Sequence, residues 1–172
     1  KQSVRGQGLM VKKWDYTTEP RAVVLVHADT KDYDHPEPAE LCYSMARTVC
    51  RRLEEKAVSY RFAANAAFDL LLNAALSGEE WRKPLEAPQG YGPEHYRRVL
   101  EILGRATGQT ALSCARFCAE YYHPQEQVGC IVVTTEPEEA VRAAVQPLPG
   151  IPLLVLTPEM AVETAQTGEA DA

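Results

Sequence analysis

Three short apolar runs constrain the fold of this chain more than any other feature of its sequence. They occupy residues 23–26, 131–133 and 153–156, and each is flanked by polar residues or proline. Each run is too short for a helix, and consecutive apolar side chains need burial on both faces of a strand. Because helical segments separate the runs, we predict a parallel sheet with helices packed on both of its faces.

The segment after the first run has the pattern of a helix followed by a strand. The helix is predicted to begin near Pro38, since proline suits the first helical position. Apolar residues then recur at helical spacing, at Leu41, Met45, Val49 and Leu53. Alternation of apolar and polar residues over 58–62 predicts a half-exposed strand rather than a central one.

Three further helices are predicted, over residues 93–106, 110–122 and 137–145. Residues 66–92 are rich in proline and glycine and predict an irregular excursion that could contain a short hairpin. The predicted fold is α/β, a doubly wound and mostly parallel sheet in one domain over residues 1–157. The acidic, alanine-rich residues 158–172 are predicted to form a frayed tail.

Composition excludes several classes of protein. The 172 residues suit a single domain, and the hydrophobic content of 45% and charged content of 24% are those of a globular protein. A net charge of −6 argues against a nucleic-acid partner, because affinity for phosphates depends on Lys and Arg. Five cysteines without CxxC spacing indicate packed free thiols in a reducing compartment. No run is long enough to span a bilayer.

One segment near the start of the chain carries a resemblance to a known family. Residues 8–16 have the sequence Gly-Leu-Met-Val-Lys-Lys-Trp-Asp-Tyr and precede the first core strand. Asn65 after the second strand, the segment 92–103 and the strand from Gly129 follow in order. Together these features resemble domain-of-unknown-function family fifty-eight, over nearly the whole chain.

The resemblance implies a von Willebrand factor A-like, or Rossmann-like, fold in the C-terminal part of a membrane-anchored bacterial protein. Relatives typically have two N-terminal transmembrane helices and are often encoded beside MoxR-type AAA+ ATPases. The chain starts without an initiator methionine, with the polar stretch 1–7, so we expect a piece of a longer protein. A domain on the cytoplasmic face of the membrane, anchored only through segments not included here, is the localisation implied.

The resemblance implies a degenerate form of the magnesium site found in metal-binding von Willebrand factor A domains. Such sites use an Asp-x-Ser-x-Ser motif with a distant Thr and Asp, and hard oxygen ligands suit the ion. The matching residues here are Asp29, Thr30, Lys31, Asp32 and Tyr33, so lysine and tyrosine replace both serines. The turn 89–92 lacks a threonine, and the strand that includes 131–133 ends in Thr-Thr rather than aspartate.

We therefore expect Lys31 to pair with Asp29, and we expect neither a cofactor nor a metal. If a cation such as Mg²⁺ does bind, the expected ligands are Asp29, Asp32 and Asp34. The acidic loop otherwise has a plain explanation, because acids stabilise the start of the helix that follows it.

No catalytic motif is intact. The sequence lacks Gly-x-Ser-x-Gly, the Gly-rich phosphate loops and the Asp-x-Asp of haloacid-dehalogenase-like phosphatases, whose second aspartate is replaced by Lys31. The four histidines have no spacing typical of a metal or base pair, and His27 is predicted to be a buried structural imidazole.

The sequence thus favours a non-enzymatic protein-interaction module whose partner is a protein, the resemblance suggesting a MoxR-type ATPase. The candidate interaction loop comprises Asp29, Lys31, Asp32, Tyr33 and Tyr91. Two alternatives stay open. One is a divalent-cation-dependent binder or hydrolase that uses the acidic loop around Asp29, and the other is a purely structural domain.

Overall fold

The computed structural model of the protein describes residues 20–30, 34–66 and 83–161. The strands are β1 (Arg21–His27), β2 (Ser59–Ala64), β3 (Leu85–Gly90), β4 (Gly129–Thr134) and β5 (Leu153–Leu156). The helices are α1 (Glu37–Glu55), α2 (Pro93–Arg105), α3 (Cys114–Tyr121) and α4 (Glu138–Ala144). A 3₁₀ turn spans Pro124–Glu126, and residues 158–161 are helical.

The five strands form one sheet in the order β3-β2-β1-β4-β5. Strands β2, β1, β4 and β5 run parallel, and β3 pairs antiparallel with β2. Helices α1 and α2 pack on one face of the sheet, and α3 and α4 pack on the other. The predicted α/β class, a doubly wound and mostly parallel sheet with helices on both faces, is confirmed.

Strand β2 is half-exposed on one face, as predicted, although it lies inside the sheet. It lies between β1 and β3, and Tyr60 and Phe62 are fully buried under the helices of one face. Ser59 and Arg61 on the other face are only half-buried, which explains the alternating sequence pattern. The alternating sequence of β2 therefore reflects one face that is buried and one that is only partly buried. It does not indicate a strand at the edge of the sheet.

Helix α1 packs through small side chains. Its fully buried positions are Ala39, Cys42, Ala46 and Cys50. The larger apolar residues that predicted the helix flank this stripe and are only partly buried. Small residues at the centre of the contact let the helix axis lie close to the sheet, while the larger ones fill the sides.

Other boundaries differ from the sequence prediction. Helix α3 begins at Cys114 rather than at 110, because Ser113 caps it by accepting a hydrogen bond from the backbone N–H of Arg116. Part of the predicted irregular excursion is strand β3, and residues 67–82 lie outside the described part of the chain. Of the predicted frayed tail, residues 158–161 are helical; residues 162–172, like the motif at 8–16, lie outside the described residues.

All five cysteines are free, and Cys42, Cys50, Cys118 and Cys130 are buried in the core as predicted. Within the described ranges, no helix is long and apolar enough to cross a membrane.

Candidate functional site

The order of the strands places the reversal of the winding direction between the carboxyl ends of β1 and β4. From β1 the chain crosses to β2 on one side, and from β4 it crosses to β5 on the other. Open α/β sheets bind their ligands where the winding direction reverses in this way. We call this region the switch-point edge and define it as residues 27–30, 65, 107–112 and 134–136.

Asn65 organises the switch-point edge. Its Oδ1 accepts hydrogen bonds from the backbone N–H groups of Ala111 and Leu112, both at 3.0 Å. Its Nδ2 donates to the carbonyl of Leu112 at 2.7 Å. One buried side chain therefore satisfies three backbone groups of the loop 107–112.

The same amide fixes the state of His27. Nδ2 of Asn65 lies 2.7 Å from Nδ1 of His27, and because an amide nitrogen only donates, Nδ1 is the acceptor. The ring proton of a neutral His27 is then on Nε2. His27 is only 2% exposed, so the prediction of a buried structural imidazole is confirmed.

Thr135 joins the ends of β1 and β4. The backbone N–H of Asp29 donates to Oγ1 of Thr135 at 3.1 Å, and that hydroxyl lies 3.3 Å from the carbonyl of Asp29. The N–H of Thr135 donates to the carbonyl of His27 at 3.2 Å. The backbone at Asp29 is therefore held in place, and the residue is half-buried at the carboxyl end of β1.

The loop 107–112 closes against the segment that follows β1. The N–H of Thr30 donates to the carbonyl of Gly108 at 2.7 Å. A Cβ at Gly108 would lie 1.9 Å from Oγ1 of Thr30, so the close approach requires glycine.

Tyr43 of α1 fastens the other side of this loop. Its hydroxyl donates to the carbonyl of Thr107 at 2.6 Å. Burial raises the pKa of Tyr43, and the nearby Cys42 and Asp29 raise it further, so the phenol remains a hydrogen-bond donor at neutral pH.

Acidic residues surround the switch-point edge. They are Asp29, Asp34, Glu37, Glu40, Glu136, Glu138, Glu139 and Glu159. Four of the eight lie in the first turns of α1 and α4, whose positive dipole ends face this edge and favour carboxylates. The last turn of α1 presents Arg52 at the opposite end of the sheet. The described part of the domain is thus negative at the switch-point edge.

The structure brings together only some of the residues predicted to form an interaction loop. Asp29 of that loop lies at the carboxyl end of β1, and Asp34, expected only as a possible cation ligand, lies just before α1. Lys31, Asp32 and Tyr33 lie outside the described residues, and so does the expected pairing of Lys31 with Asp29.

Tyr91 is misplaced in that prediction. It is 61% exposed, but it follows Gly90, which pairs with Tyr60 near the start of β2. Because β3 is antiparallel, Tyr91 and the turn 89–92 lie at the opposite end of the sheet from Asp29. The loop that faces Asp29 is instead 107–112, which includes Thr107 and Thr110.

The contacts of this edge decide what it can do chemically. In the described part of the chain, the polar side chains Asn65, Thr135 and Tyr43 bond mainly to backbone groups and so hold loops in place. Among the described residues, no group of three His, Cys, Asp or Glu side chains could hold a metal ion. A divalent cation here would depend on Asp29 together with threonine and backbone oxygens.

A second polar cluster lies at the opposite end of the sheet. Glu54, Tyr60 and His95 each have a buried polar atom without a hydrogen-bond partner in the described part of the chain. The other oxygen of Glu54 accepts from the N–H of Gly92 at 2.5 Å, and the rings of Tyr60 and His95 meet edge to face. Burial lowers the pKa of His95. The negative charge of Glu54 raises that pKa, but the effect of burial is the larger of the two.

The comparisons with known proteins leave the site to be interpreted from its own geometry. Neither the family models nor the curated proteins nor the solved structures contain a match for this chain.

Proposed function

We propose that this domain is a non-enzymatic protein-interaction module that docks its partner on the switch-point edge. The observation that supports this most is the use of Asn65, Thr135 and Tyr43 to hold loop backbone in place. A surface whose loops are already ordered loses little conformational entropy when a partner binds. Catalysis would require the same side chains to be available to a substrate.

The charge of the edge defines the partner. A rim of carboxylates favours a surface that presents Lys and Arg, and complementary charges speed association and select among partners. By the resemblance of the sequence, the partner is a MoxR-type AAA+ ATPase. The parent protein would be membrane-anchored, with this domain on the cytoplasmic face.

A binding experiment with charge reversals tests this proposal. The ATPase is titrated onto immobilised domain carrying Asp29→Lys or Glu139→Lys, and we expect each variant to weaken binding about tenfold. Glu94→Lys is the matched control, because Glu94 is exposed at the opposite end of the sheet. Equal affinity for all the variants and the unmodified domain would remove the switch-point edge from the proposal.

One observation favours the cation-dependent alternative enough to test it. The loop facing Asp29 contains Thr107 and Thr110, whereas the turn 89–92 considered from the sequence contains no threonine. Threonine hydroxyls and carboxylates are hard oxygen ligands suited to Mg²⁺ or Mn²⁺. Calorimetric titration of either ion into chelator-treated protein, with Asp29→Asn as the comparison, decides the matter. Saturable binding that the variant loses would support this alternative, and absence of binding would contradict it.

A further inference from the structure

One face of the sheet is only partly covered beside β5. Leu154 pairs with Ile131 of β4 and lies on the same face as Leu156, which packs on the core under α1. Leu154 is 48% exposed, and Ile131 is only half-buried although β4 lies inside the sheet. Among the described residues, the cover that α1 gives this face therefore ends short of β5.

Helix α1 continues the apolar surface. Leu41, Met45 and Val49 are half-buried, and together with Leu156 they line an open groove of about 300 Å³ between the helix and β5. Contiguous apolar surface of this kind marks an interaction site more often than a scattered exposed leucine does. We call this surface the α1–β5 face and define it as Leu41, Met45, Val49, Ile131, Leu154 and Leu156.

The rest of the chain offers little apolar surface to cover the α1–β5 face. Residues 162–172 follow the helical residues 158–161 after β5, and Val162 is their only apolar side chain larger than alanine. Residues 67–82 join β2 to β3 at the other edge of the sheet. The occupant that fits this face best is therefore a separate polypeptide.

The charges along α1 indicate which polypeptide that is. Glu37 lies in the first turn of the helix and Arg52 in the last, and both side chains are exposed. Between them Leu41, Met45 and Thr48 recur at helical spacing on the same side. An acidic start, an apolar middle and a basic end form a surface that is complementary to an antiparallel copy of itself.

We propose that two copies of this chain associate through the α1–β5 face, with their α1 helices antiparallel across a two-fold axis. With the axis between residues 44 and 45, position 37 of one copy faces position 52 of the other, and position 41 faces position 48. The two charge pairs then lie about 22 Å from one another along the helix and flank the apolar centre of the contact.

The charged side chains are free to make these pairs. In one copy Glu37 lies 3.8 Å from the exposed His35, and Arg52 pairs with Glu55 at 2.8 Å. Glu55 also pairs with Arg51 at 3.3 Å, so it keeps a partner when Arg52 turns away. Exposed pairs within one helix contribute little to stability. Burial of the apolar residues supplies the affinity, and the charges fix the antiparallel orientation.

Sedimentation velocity of the full chain, from micromolar to submillimolar concentration, tests the association. We expect a monomer–dimer equilibrium. Leu154→Glu should weaken dimerisation about tenfold or more, because it buries a carboxylate in an apolar contact. Arg116→Glu is the matched control and should leave dimerisation unchanged, since Arg116 is exposed on α3, on the other face of the sheet. Circular dichroism verifies that each variant is folded.

Reversal of charges tests the antiparallel arrangement. Glu37→Arg and Arg52→Glu should each weaken self-association about tenfold, because each variant places two pairs of like charges across the axis. The double variant should recover the dimer. An equimolar mixture of the two single variants should form a mixed dimer, since every facing pair then has opposite charges.

A chain that remains monomeric at every concentration, whether its face is bare or covered by its own residues 162–172, would overturn the proposal. A dimer that Leu154→Glu leaves unchanged would overturn it too. Failure of both the double variant and the mixture to recover association would exclude the antiparallel helices. None of these measurements includes the ATPase, so their outcome is independent of docking on the switch-point edge.

Discussion

Asn65 is the residue on which the order of the switch-point edge depends most. Its amide serves the backbone of Ala111 and Leu112 and the ring of His27, and it is 1% exposed. If this side chain were removed, water could reach the buried groups that it satisfies only if the loop 107–112 opened. It links strand β2 to a loop more than forty residues later in the chain.

Asn65→Ala should destabilise the domain by about 2 kcal/mol or more, because it leaves buried backbone groups without partners. Asn65→Asp keeps the acceptor for the two N–H groups and should cost less. Denaturant unfolding measures both losses of stability, provided that the slope of the unfolding free energy against denaturant concentration is the same for each variant. A loss below about 0.5 kcal/mol for the alanine variant would show that the loop does not depend on this amide.

Two glycines should respond to alanine with opposite signs. At Gly108 a Cβ would clash with Thr30, so Gly108→Ala should destabilise the fold and displace the loop. At Gly104, inside α2, a Cβ meets nothing within 4 Å, and Gly104→Ala should stabilise by about 0.5 to 1 kcal/mol. Thermal melting of the two variants side by side checks the prediction, which fails if both shift the midpoint in the same direction.

At the scale of elements, the cluster of Glu54, Tyr60 and His95 joins α1, β2 and α2. Because burial lowers the pKa of His95 in the folded state, the unfolded chain binds its proton more readily near neutral pH. The stability from neutral His95 is therefore present above its unfolded pKa, about 6.5, and is lost as the pH falls through the folded value. Glu54 opposes this shift and Arg98 reinforces it.

His95→Gln should reduce that pH dependence. Unfolding free energies measured between about pH 7.5 and 5 should fall more steeply for the unmodified domain than for the variant. His35→Gln is the matched control, since His35 is exposed and lies at the other end of α1. Parallel curves for the domain and His95→Gln would mean that His95 does not contribute to the acid sensitivity.

The strands differ in how well their sequences predict them. Strands β1 and β4 are recognisable because their consecutive apolar residues suit burial on both faces. The apolar run of β5 also predicts a strand, but β5 lies at the edge of the sheet and Leu154 is 48% exposed, so the prediction of a buried strand is wrong there. The alternating pattern of β2 correctly predicts a half-exposed strand, since its second face is only partly covered. Its place between β1 and β3 depends on distant contacts that the local pattern does not show. Local periodicity does not show whether a strand runs parallel or antiparallel to its neighbour. The antiparallel direction of β3 was therefore not predicted, and Tyr91 was placed at the wrong end of the sheet.

The candidate site was predictable only in part for the same reason. Asp29 follows an evident strand, and the carboxyl end of a parallel strand is an expected place for a ligand. The roles of Asn65 and Thr135 depend on contacts across 46 and 106 positions of sequence. The helical pattern over 110–122 concealed the loop, although Gly108 and Ser113 mark its boundaries.

The molecule as a whole has an ordered, acidic edge formed by the winding of the sheet. Helix starts gather at the carboxyl ends of the parallel strands, and acidic first turns accompany them. The same topology fixes the loops that lie between those helices. We propose that a protein partner docks on this edge.

Amide hydrogen exchange of the full chain, with and without the MoxR-type ATPase, tests that claim most directly. Binding on the switch-point edge should slow exchange in residues 28–30, 107–112 and 135–139, and should leave residues 88–95 at the opposite end unchanged. Protection confined to 88–95, or no protection at saturating ATPase, would contradict the account.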